Sequence, residues 1–150
     1  MRFRAARPAE AAALSELALR SKAHWGYDEA FLTACRAELT LDPAELVARR
    51  TTVAEEGDRL LGFHTLDGAP PEAELGCLFV EPSAIGTGVG RALWEHAVTT
   101  ARALGCTRLI LEADPFAEPF YLRMGAVRTG TAPSASIPGR ELPRMSCPLT

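Results

Sequence analysis

The sequence predicts a single α/β (α+β) domain over residues 1–150, built on a mixed β-sheet. A chain of 150 residues can bury one hydrophobic core, and no internal repeat divides it. Residues 73–113 show the succession strand, glycine-rich turn, helix and strand, which requires two parallel strands joined by a helical crossover. Residues 51–66 instead show two short strands around a tight turn, which predicts an antiparallel hairpin.

The composition narrows the classes of function. The chain is 47% hydrophobic and 23% charged, as ordinary globular proteins are. It shows neither an apolar run of membrane-spanning length nor a signal-peptide pattern, and its net charge of −3 provides no basic field for nucleic acid. Four separated cysteines without a C-x-x-C pair favour reduced thiols over disulfides or a zinc site. We therefore expect a cytoplasmic protein that binds no metal, nucleic acid or membrane.

A short strand and two helices are predicted ahead of the hairpin. Residues 2–5 alternate in polarity, which is typical of a strand. Pro8 opens a helix whose apolar stripe includes Leu14 and Leu17. Asp28 is a suitable N-cap for a second helix, and a third, short helix is predicted to begin at residue 42.

The hairpin consists of strands at 51–55 and 60–66, and a loop is predicted at 67–71. His64 lies in the second strand among apolar residues and has no partner that the sequence identifies. A structural or pocket-lining role is therefore favoured over that of a ligand or base.

The rest of the chain is organised around the strand at 73–80 and the turn that follows it. Gly76 within this strand predicts a β-bulge, and Pro82 ends the ladder because it has no N–H to donate. Three glycines then alternate with other residues and are expected to take positive φ angles: Gly86, Gly88 and Gly90. A glycine turn that leads into a helix presents unpaired N–H groups to a phosphate or pyrophosphate.

The helix after this turn is predicted to bury one stripe of side chains and to end at Gly105. The stripe consists of Val89, Leu93, Ala97, Thr100 and Leu104. A strand at 107–113 follows. Two closing strands are predicted at 126–130 and 144–147, with a loop at 131–139 between them.

Two common nucleotide-binding motifs do not fit the glycine turn. A phosphate-binding loop needs Gly-Lys-Ser/Thr, whereas Gly90 is followed by Arg91 and Ala92. The dinucleotide motif G-x-G-x-x-G differs in the spacing of its last glycine. A glycine-rich connection without a ligand is the structural alternative.

The turn closely resembles motif A of the GCN5-related N-acetyltransferase (GNAT) superfamily, Q/R-x-x-G-x-G/A. Gly88, Val89 and Gly90 match its last three positions, whereas the Gln/Arg position falls on Ile85. Since an isoleucine side chain cannot hydrogen-bond to phosphate, binding would depend on backbone N–H groups and on Arg91.

A second stretch resembles motif B of the same superfamily, Asn-x-x-Ala-x-x-Phe/Leu-Tyr-x-x-x-Gly-Phe. Asp114 stands at the asparagine position and Ala126 at that of the last phenylalanine. The matching residues are Ala117, Phe120, Tyr121 and Gly125. Two partial matches in the right order and separation are far more specific than either alone, and the resemblance extends over residues 75–125.

The resemblance implies a mixed, mostly antiparallel sheet of six to seven strands with one splayed parallel pair, flanked by about four helices. It also implies an acetyl-CoA-dependent N-acetyltransferase that moves an acetyl group to a primary amine by direct transfer in a ternary complex. The acceptor would be a small molecule, an amino acid derivative or a peptide or protein amine, and a homodimer is left open.

The resemblance further implies which residues bind the cofactor. The backbone of Leu78, Phe79 and Val80 would bind the pantetheine arm, and the N–H of Val80 would polarise the thioester carbonyl. The turn residues would bind the pyrophosphate: Ile85, Gly86, Thr87, Gly88, Val89, Gly90 and Arg91. Asp114 and Phe120 complete the set, although Asp114 replaces a neutral amide.

Tyr121 is the predicted partner of the departing thiolate. It shares a helical face with Ala117 and Phe120, and that helix is predicted to begin near Glu118. A tyrosine has a pKa of about 10 and a thiol one of about 8.5, so Tyr121 would share its proton rather than transfer it fully. A buried tyrosine of the core is the alternative.

Glu74 matches the usual position of the family's general base, although a solvent-facing strand residue is an equal alternative. Glu112, Glu72 and water are the other candidates. Trp25 and Tyr27 lie in the segment that often lines the acceptor pocket in the family. Packing beneath a helix junction explains these two aromatic residues equally well.

Two other functions compete with acetyl transfer. A non-catalytic acyl-CoA-binding sensor or regulatory module is compatible with Ile85, but it has no need of Tyr121. A nucleotide-binding domain of another type is disfavoured by the glycine spacing.

Overall fold

The computed structural model describes residues 1–149. Its seven strands are β1 (Arg2–Ala5), β2 (Thr52–Glu56), β3 (Arg59–Ala69), β4 (Glu72–Val80), β5 (Arg108–Glu112), β6 (Val127–Pro133) and β7 (Glu141–Pro148). Its four α-helices are α1 (Ala11–Ala23), α2 (Glu29–Leu39), α3 (Val89–Ala103) and α4 (Glu118–Arg123). Among the described residues, no helix has the length and apolar character needed to cross a membrane.

The strands form one sheet in the order β1-β2-β3-β4-β5-β7-β6. All neighbouring pairs are antiparallel except β4 and β5, which the α3 crossover makes parallel. This parallel pairing covers only residues 72–74 of β4 and 108–110 of β5. The predicted mixed sheet with a splayed parallel pair is therefore confirmed.

Helices cover both faces of the sheet. Leu14 and Leu17 of α1 pack against Phe63 of β3 on one face. On the other face, Trp94 of α3 packs with Tyr121 of α4 against strand residues such as Leu75. The gap between the diverging ends of β4 and β5 thus lies between the helices on one face of the sheet and those on the other.

A bulge at Gly76 changes which side chains of β4 face each layer. Leu75 pairs with Leu66 and Cys77 with Thr65, so Gly76 is the extra residue. Before the bulge Leu75 faces α3, whereas after it Leu78 does so and Cys77 packs with the α1 cluster. A Cβ on Gly76 would lie 2.7 Å from the Arg49 guanidinium and would also clash with Asp67, which explains the glycine.

Several predicted boundaries were wrong. Helix α3 begins at Val89 rather than after Arg91, and its buried stripe contains Trp94 and Ala101, whereas Leu104 is exposed. The segment after Asp42 forms only a 3₁₀ turn, although Asp42 caps it through the Ala44 amide. Strands β3 and β6 extend into residues predicted as loops, and β7 is longer at both ends than the predicted strand at 144–147. Pairing with neighbouring strands satisfies backbone groups that these residues would otherwise leave free.

Candidate active site

The glycine turn leaves a row of backbone amides without a protein acceptor. After the 3₁₀ turn at Pro82–Ala84, Gly86 and Gly88 take positive φ angles of 85° and 92°. The amides of Ile85 and Thr87 are hydrogen-bonded within the turn. Across residues 1–149, no acceptor is hydrogen-bonded to the amides of Gly86, Gly88, Val89, Gly90 and Arg91. These N–H groups, at the N-terminus of α3, are free to bind an anion.

Gly90 differs from the other two glycines. It lies inside α3 with a helical backbone, so the predicted positive φ is wrong for this residue. A Cβ at this position would lie 3.4 Å from the ring of Phe120. The glycine allows α4 to pack closely on the start of α3.

The edge of β4 that faces β5 is open beyond the bulge. The Glu81 amide donates to the carbonyl of Leu61 in β3 at 2.8 Å. Because hydrogen-bonding directions alternate along a strand, the N–H and C=O groups of Val80 and Leu78 point away from β3. They face the gap left by β5, where an extended ligand could pair with them.

A cleft of about 780 Å³ occupies this gap. It is lined by most of the predicted site residues, namely Trp25, Glu74, Leu78, Phe79, Val80, Ile85, Gly86, Gly88, Gly90, Arg91, Asp114, Phe120 and Tyr121. Tyr27, Thr87 and Val89 are outside the lining. Val89 is buried beneath the turn, and the hydroxyl of Thr87 donates to the carbonyl of Ala84.

Tyr121 is positioned to act on a group inside the cleft. Its side chain is only 7% exposed, and its ring packs 5.7 Å from that of Trp94. Its hydroxyl makes no hydrogen bond to another group of residues 1–149 and is not among the fully buried unpaired atoms, which fits its place in the lining of the cleft. Burial, followed by the nearby Cys77 and Asp114, raises the pKa of Tyr121 well above its usual value.

Glu74 lies where the two strands separate. It forms the last parallel pair with Ile110, and its side chain is exposed on the face opposite Leu75. Partial burial raises the pKa of Glu74, and repulsion from Asp67 and Glu112 raises it further. A carboxylate whose pKa is raised accepts a proton from an amine more readily.

These features match a known family. A family model described as "Acetyltransferase (GNAT) family" matches residues 12–126. The chain belongs to the GNAT family. The resemblance found in the two sequence motifs is thereby confirmed.

Curated relatives share part of the chain. It is 36% identical over 95 residues to the mycothiol acetyltransferase of Nocardia farcinica. The matched segment covers 59% of this chain and 31% of that protein. It is 39% identical over 75 residues to the peptidyl-lysine N-acetyltransferase YjaB of Escherichia coli, which covers 50% and 47% respectively. The matched part of the chain thus spans 31% to 47% of the length of these relatives.

Solved GNAT structures share the whole fold. The PaiA N-acetyltransferase of Thermoplasma acidophilum, solved in complex with coenzyme A, superposes with a TM-score of 0.82 at 20% identity and 98% coverage of both chains. A GCN5-related N-acetyltransferase from Rhodopseudomonas palustris gives a TM-score of 0.81 at 25% identity, covering 98% of this chain and 94% of the other.

Asp114, which replaces the asparagine of the GNAT motif, is held by four protein groups. It accepts hydrogen bonds from Lys22 at 3.0 Å, Tyr27 at 2.9 Å and the Phe116 amide at 2.9 Å, and Arg140 lies at 3.6 Å. Burial opposes its ionisation, but Lys22 and the hydrogen bonds hold the pKa of Asp114 below its usual range. Its predicted contact with the cofactor competes with these partners and stays a prediction.

The two candidate acceptor-site aromatics differ. Trp25 is 40% exposed, lines the cleft and stacks on Phe116 at 5.7 Å. Tyr27 stacks on Phe31 at 4.0 Å, and its hydroxyl accepts a hydrogen bond from Arg140 at 2.6 Å while donating to Asp114. These contacts give Tyr27 a packing role, and a substrate contact for either residue stays a prediction.

Sequence reasoning missed the partner of His64. His64 is fully buried, and its Nε2 lies 3.0 Å from Nδ1 of His96 on α3. Burial, followed by the effect of His96, lowers the pKa of His64 to about 4. The two histidines are 32 positions apart in different elements, so no local sequence signal could have paired them.

Proposed function

We propose that residues 1–150 act as one acetyl-CoA-dependent N-acetyltransferase domain that moves an acetyl group to a primary amine by direct transfer in a ternary complex. One observation carries the proposal. A single cleft joins the unpaired amides of the glycine turn, the open edge of β4 and the unpartnered hydroxyl of Tyr121. These are the groups that a diphosphate, an extended amide chain and a leaving thiolate require.

The residues of the cleft fit acetyl-CoA. Five free amides at the start of α3 suit the diphosphate, which explains how binding can dispense with a polar side chain at Ile85. Arg91 lies at the surface of the cleft, 3.5 Å from Glu95, and can turn towards the phosphates. Leu78 and Val80 offer backbone groups to the pantetheine amides, and the same two N–H groups are the donors available to the thioester carbonyl.

The reaction needs a neutral amine beside the thioester. Glu74 accepts one proton from the ammonium group, and the freed nitrogen attacks the carbonyl carbon. The N–C bond forms, the C–S bond breaks, and the thiolate leaves with its electron pair. The second proton on the new amide nitrogen passes to solvent water. Tyr121 stabilises that thiolate by a hydrogen bond, since its raised pKa makes it a poor acid. Holding both reactants together can contribute about 7–11 kcal/mol to lowering the barrier.

The relatives support this function without defining the acceptor. One of them is named a mycothiol acetyltransferase and another a peptidyl-lysine N-acetyltransferase, and the PaiA structure contains coenzyme A. We extend from them only the acetyl donor and the amine acceptor. The four free cysteines of the chain are consistent with the cytoplasmic location that we also propose.

Two measurements test the proposal. Thermal shift with CoA, acetyl-CoA, ATP and NAD should show a large stabilisation by the first two alone, because a ligand that binds only the folded state stabilises it. Release of free thiol should then require both acetyl-CoA and an amine. Stabilisation by ATP or NAD instead would overturn the proposal, and CoA binding without thiol release over a broad amine panel would indicate the sensor function.

A further inference from the structure

Two carboxylates face each other across the start of the gap between β4 and β5. Glu74 pairs with Ile110, and Glu112 lies two residues further along β5. Leu109 and Leu111 pack in the α3 layer, so the alternation of side chains places Glu74 and Glu112 together on the opposite face. From the spacing of strands and residues, their Cα atoms lie about 8 Å apart. Both line the cleft.

Neighbouring basic groups offset the charge of these two carboxylates only in part. Asp67 pairs with Arg49 at 3.1 Å, and Asp114 pairs with Lys22 at 3.0 Å. Across residues 1–149, neither Glu74 nor Glu112 forms an ion pair. Arg144 of β7 lies opposite Glu112 and offsets part of the charge. Glu74 and Glu112 therefore keep carboxylate oxygens that no ion pair occupies within residues 1–149.

An independent feature indicates that a ligand occupies the same cleft. The side chain of Tyr121 is 7% exposed and lines the cleft, and its hydroxyl makes no hydrogen bond to another group of residues 1–149. It belongs to the α3 layer, whereas the carboxylates belong to the other face. The gap thus has a thiolate side at Tyr121 and an acceptor side at Glu74 and Glu112.

We propose that Glu112, acting beside Glu74, selects acceptor amines that carry a second cationic group, as short alkyl diamines do. The inference rests on the proposed acetyl transfer and names its substrate class. The amine that reacts must lose its proton to Glu74, whereas the distal ammonium keeps its charge and pairs with Glu112. An acceptor with an uncharged end gains nothing from Glu112, and one with an anionic end is repelled.

The test compares three four-carbon acceptors in the thiol-release assay: putrescine, butylamine and γ-aminobutyrate. We expect kcat/KM for putrescine to exceed that for butylamine by about tenfold, equivalent to about 1.4 kcal/mol, and γ-aminobutyrate to be the poorest. Glu112→Gln should reduce the preference for putrescine over butylamine to less than about threefold, chiefly by raising the KM for putrescine. Glu141→Gln is the control and should keep the preference for putrescine, because Glu141 is an exposed glutamate at the start of β7 in the same sheet but outside the cleft.

The outcomes separate this inference from the proposed function. Equal kcat/KM for putrescine and butylamine, or an unchanged preference in Glu112→Gln, overturns the selection by Glu112 and leaves acetyl transfer intact. Failure of every amine to release thiol overturns the proposed function. Calorimetric titration of putrescine into the protein–CoA complex provides a readout without turnover. Absence of binding there, or equal binding by wild type and Glu112→Gln, also overturns the inference.

Discussion

The two edges of β4 beyond Gly76 offer opposite environments to the same stretch of backbone. Towards β3 the strand is paired as far as Val80, and His64 on that side is sealed from solvent against His96. Towards β5 the pairing ends at Glu74, and Tyr121 on that side opens into the cleft. One edge serves the stability of the sheet, while the other is available to a ligand.

The difference shows how little sequence is needed to turn a sheet into a binding site. A single extra residue at Gly76 bends β4 and exchanges its faces, and three residue pairs suffice to hold β5 beside it. The glycine turn then lies at the far end of the open edge. Substitutions at either edge of β4 should therefore have different effects.

The largest effect is expected at the end of the open edge. Gly88→Val would force a β-branched residue to φ 92° and displace the free amides, so the Kd for CoA should rise by at least about 1000-fold. Calorimetric titration measures it. Gly57→Val, which imposes a similar backbone conflict in the β2–β3 turn, is the control and should bind CoA normally. Equal weakening in both variants would contradict a phosphate-binding role for the turn.

Buried His64, on the β3 side of β4, should make the stability of the protein depend on pH. The pKa of His64 is about 4 in the folded protein and about 6.5 when unfolded, so the unfolded chain binds more protons between these values. The free energy of unfolding should therefore fall by about 3 kcal/mol as pH drops from about 6.5 to about 4, with His96 contributing in the same direction. Denaturant unfolding across this range measures it.

A variant assigns this pH dependence. His64→Gln should flatten the profile, whereas His24→Gln, at the exposed end of α1, should leave it unchanged. A profile equally steep in His64→Gln would mean that other groups cause the acid sensitivity.

A substitution in the cleft on the β5 side of β4 should lower catalysis and leave stability nearly unchanged. Tyr121→Phe removes a hydroxyl that has no hydrogen-bond partner in residues 1–149, so folding and the Kd for CoA should change little. The value of kcat should drop by about 100-fold, because the developing thiolate loses the hydrogen bond that stabilises it. Single-turnover thiol release measures it, and an unchanged rate would leave Tyr121 as a residue of the core.

The smallest effect is expected at the bulge that separates the two environments. Gly76→Ala would push apart Arg49 and Asp67, so the free energy of unfolding should fall by about 1–3 kcal/mol. Gly130→Ala on β6 is the matched control, because a Cβ there meets nothing within 4 Å. Thermal unfolding compares the two. A Gly76→Ala variant as stable as Gly130→Ala would show that the Arg49–Asp67 ion pair can move aside without loss of stability.

The sequence predicted those parts of the site that depend on short stretches of chain. Gly86 and Gly88, with the helix that follows, gave the free amides, and the spacing around Tyr121 placed its hydroxyl on the inner face of α4. The positive φ predicted for Gly90 was wrong. This position lies in a helix, and its glycine makes room for the ring of Phe120, 30 residues away. The partners of Asp114 were missed for the same reason, since Lys22 and Arg140 come from distant segments.

The amino-acid order by itself determined the strand–turn–helix unit and the bulge, because backbone hydrogen bonding and allowed φ angles act over a few residues. Only the tertiary structure decided that β4 and β5 part after Glu74, that His64 meets His96, and that Glu112 lies beside Glu74 unpaired. Such contacts depend on how whole elements pack, and close packing of distant side chains leaves no periodic trace in the sequence.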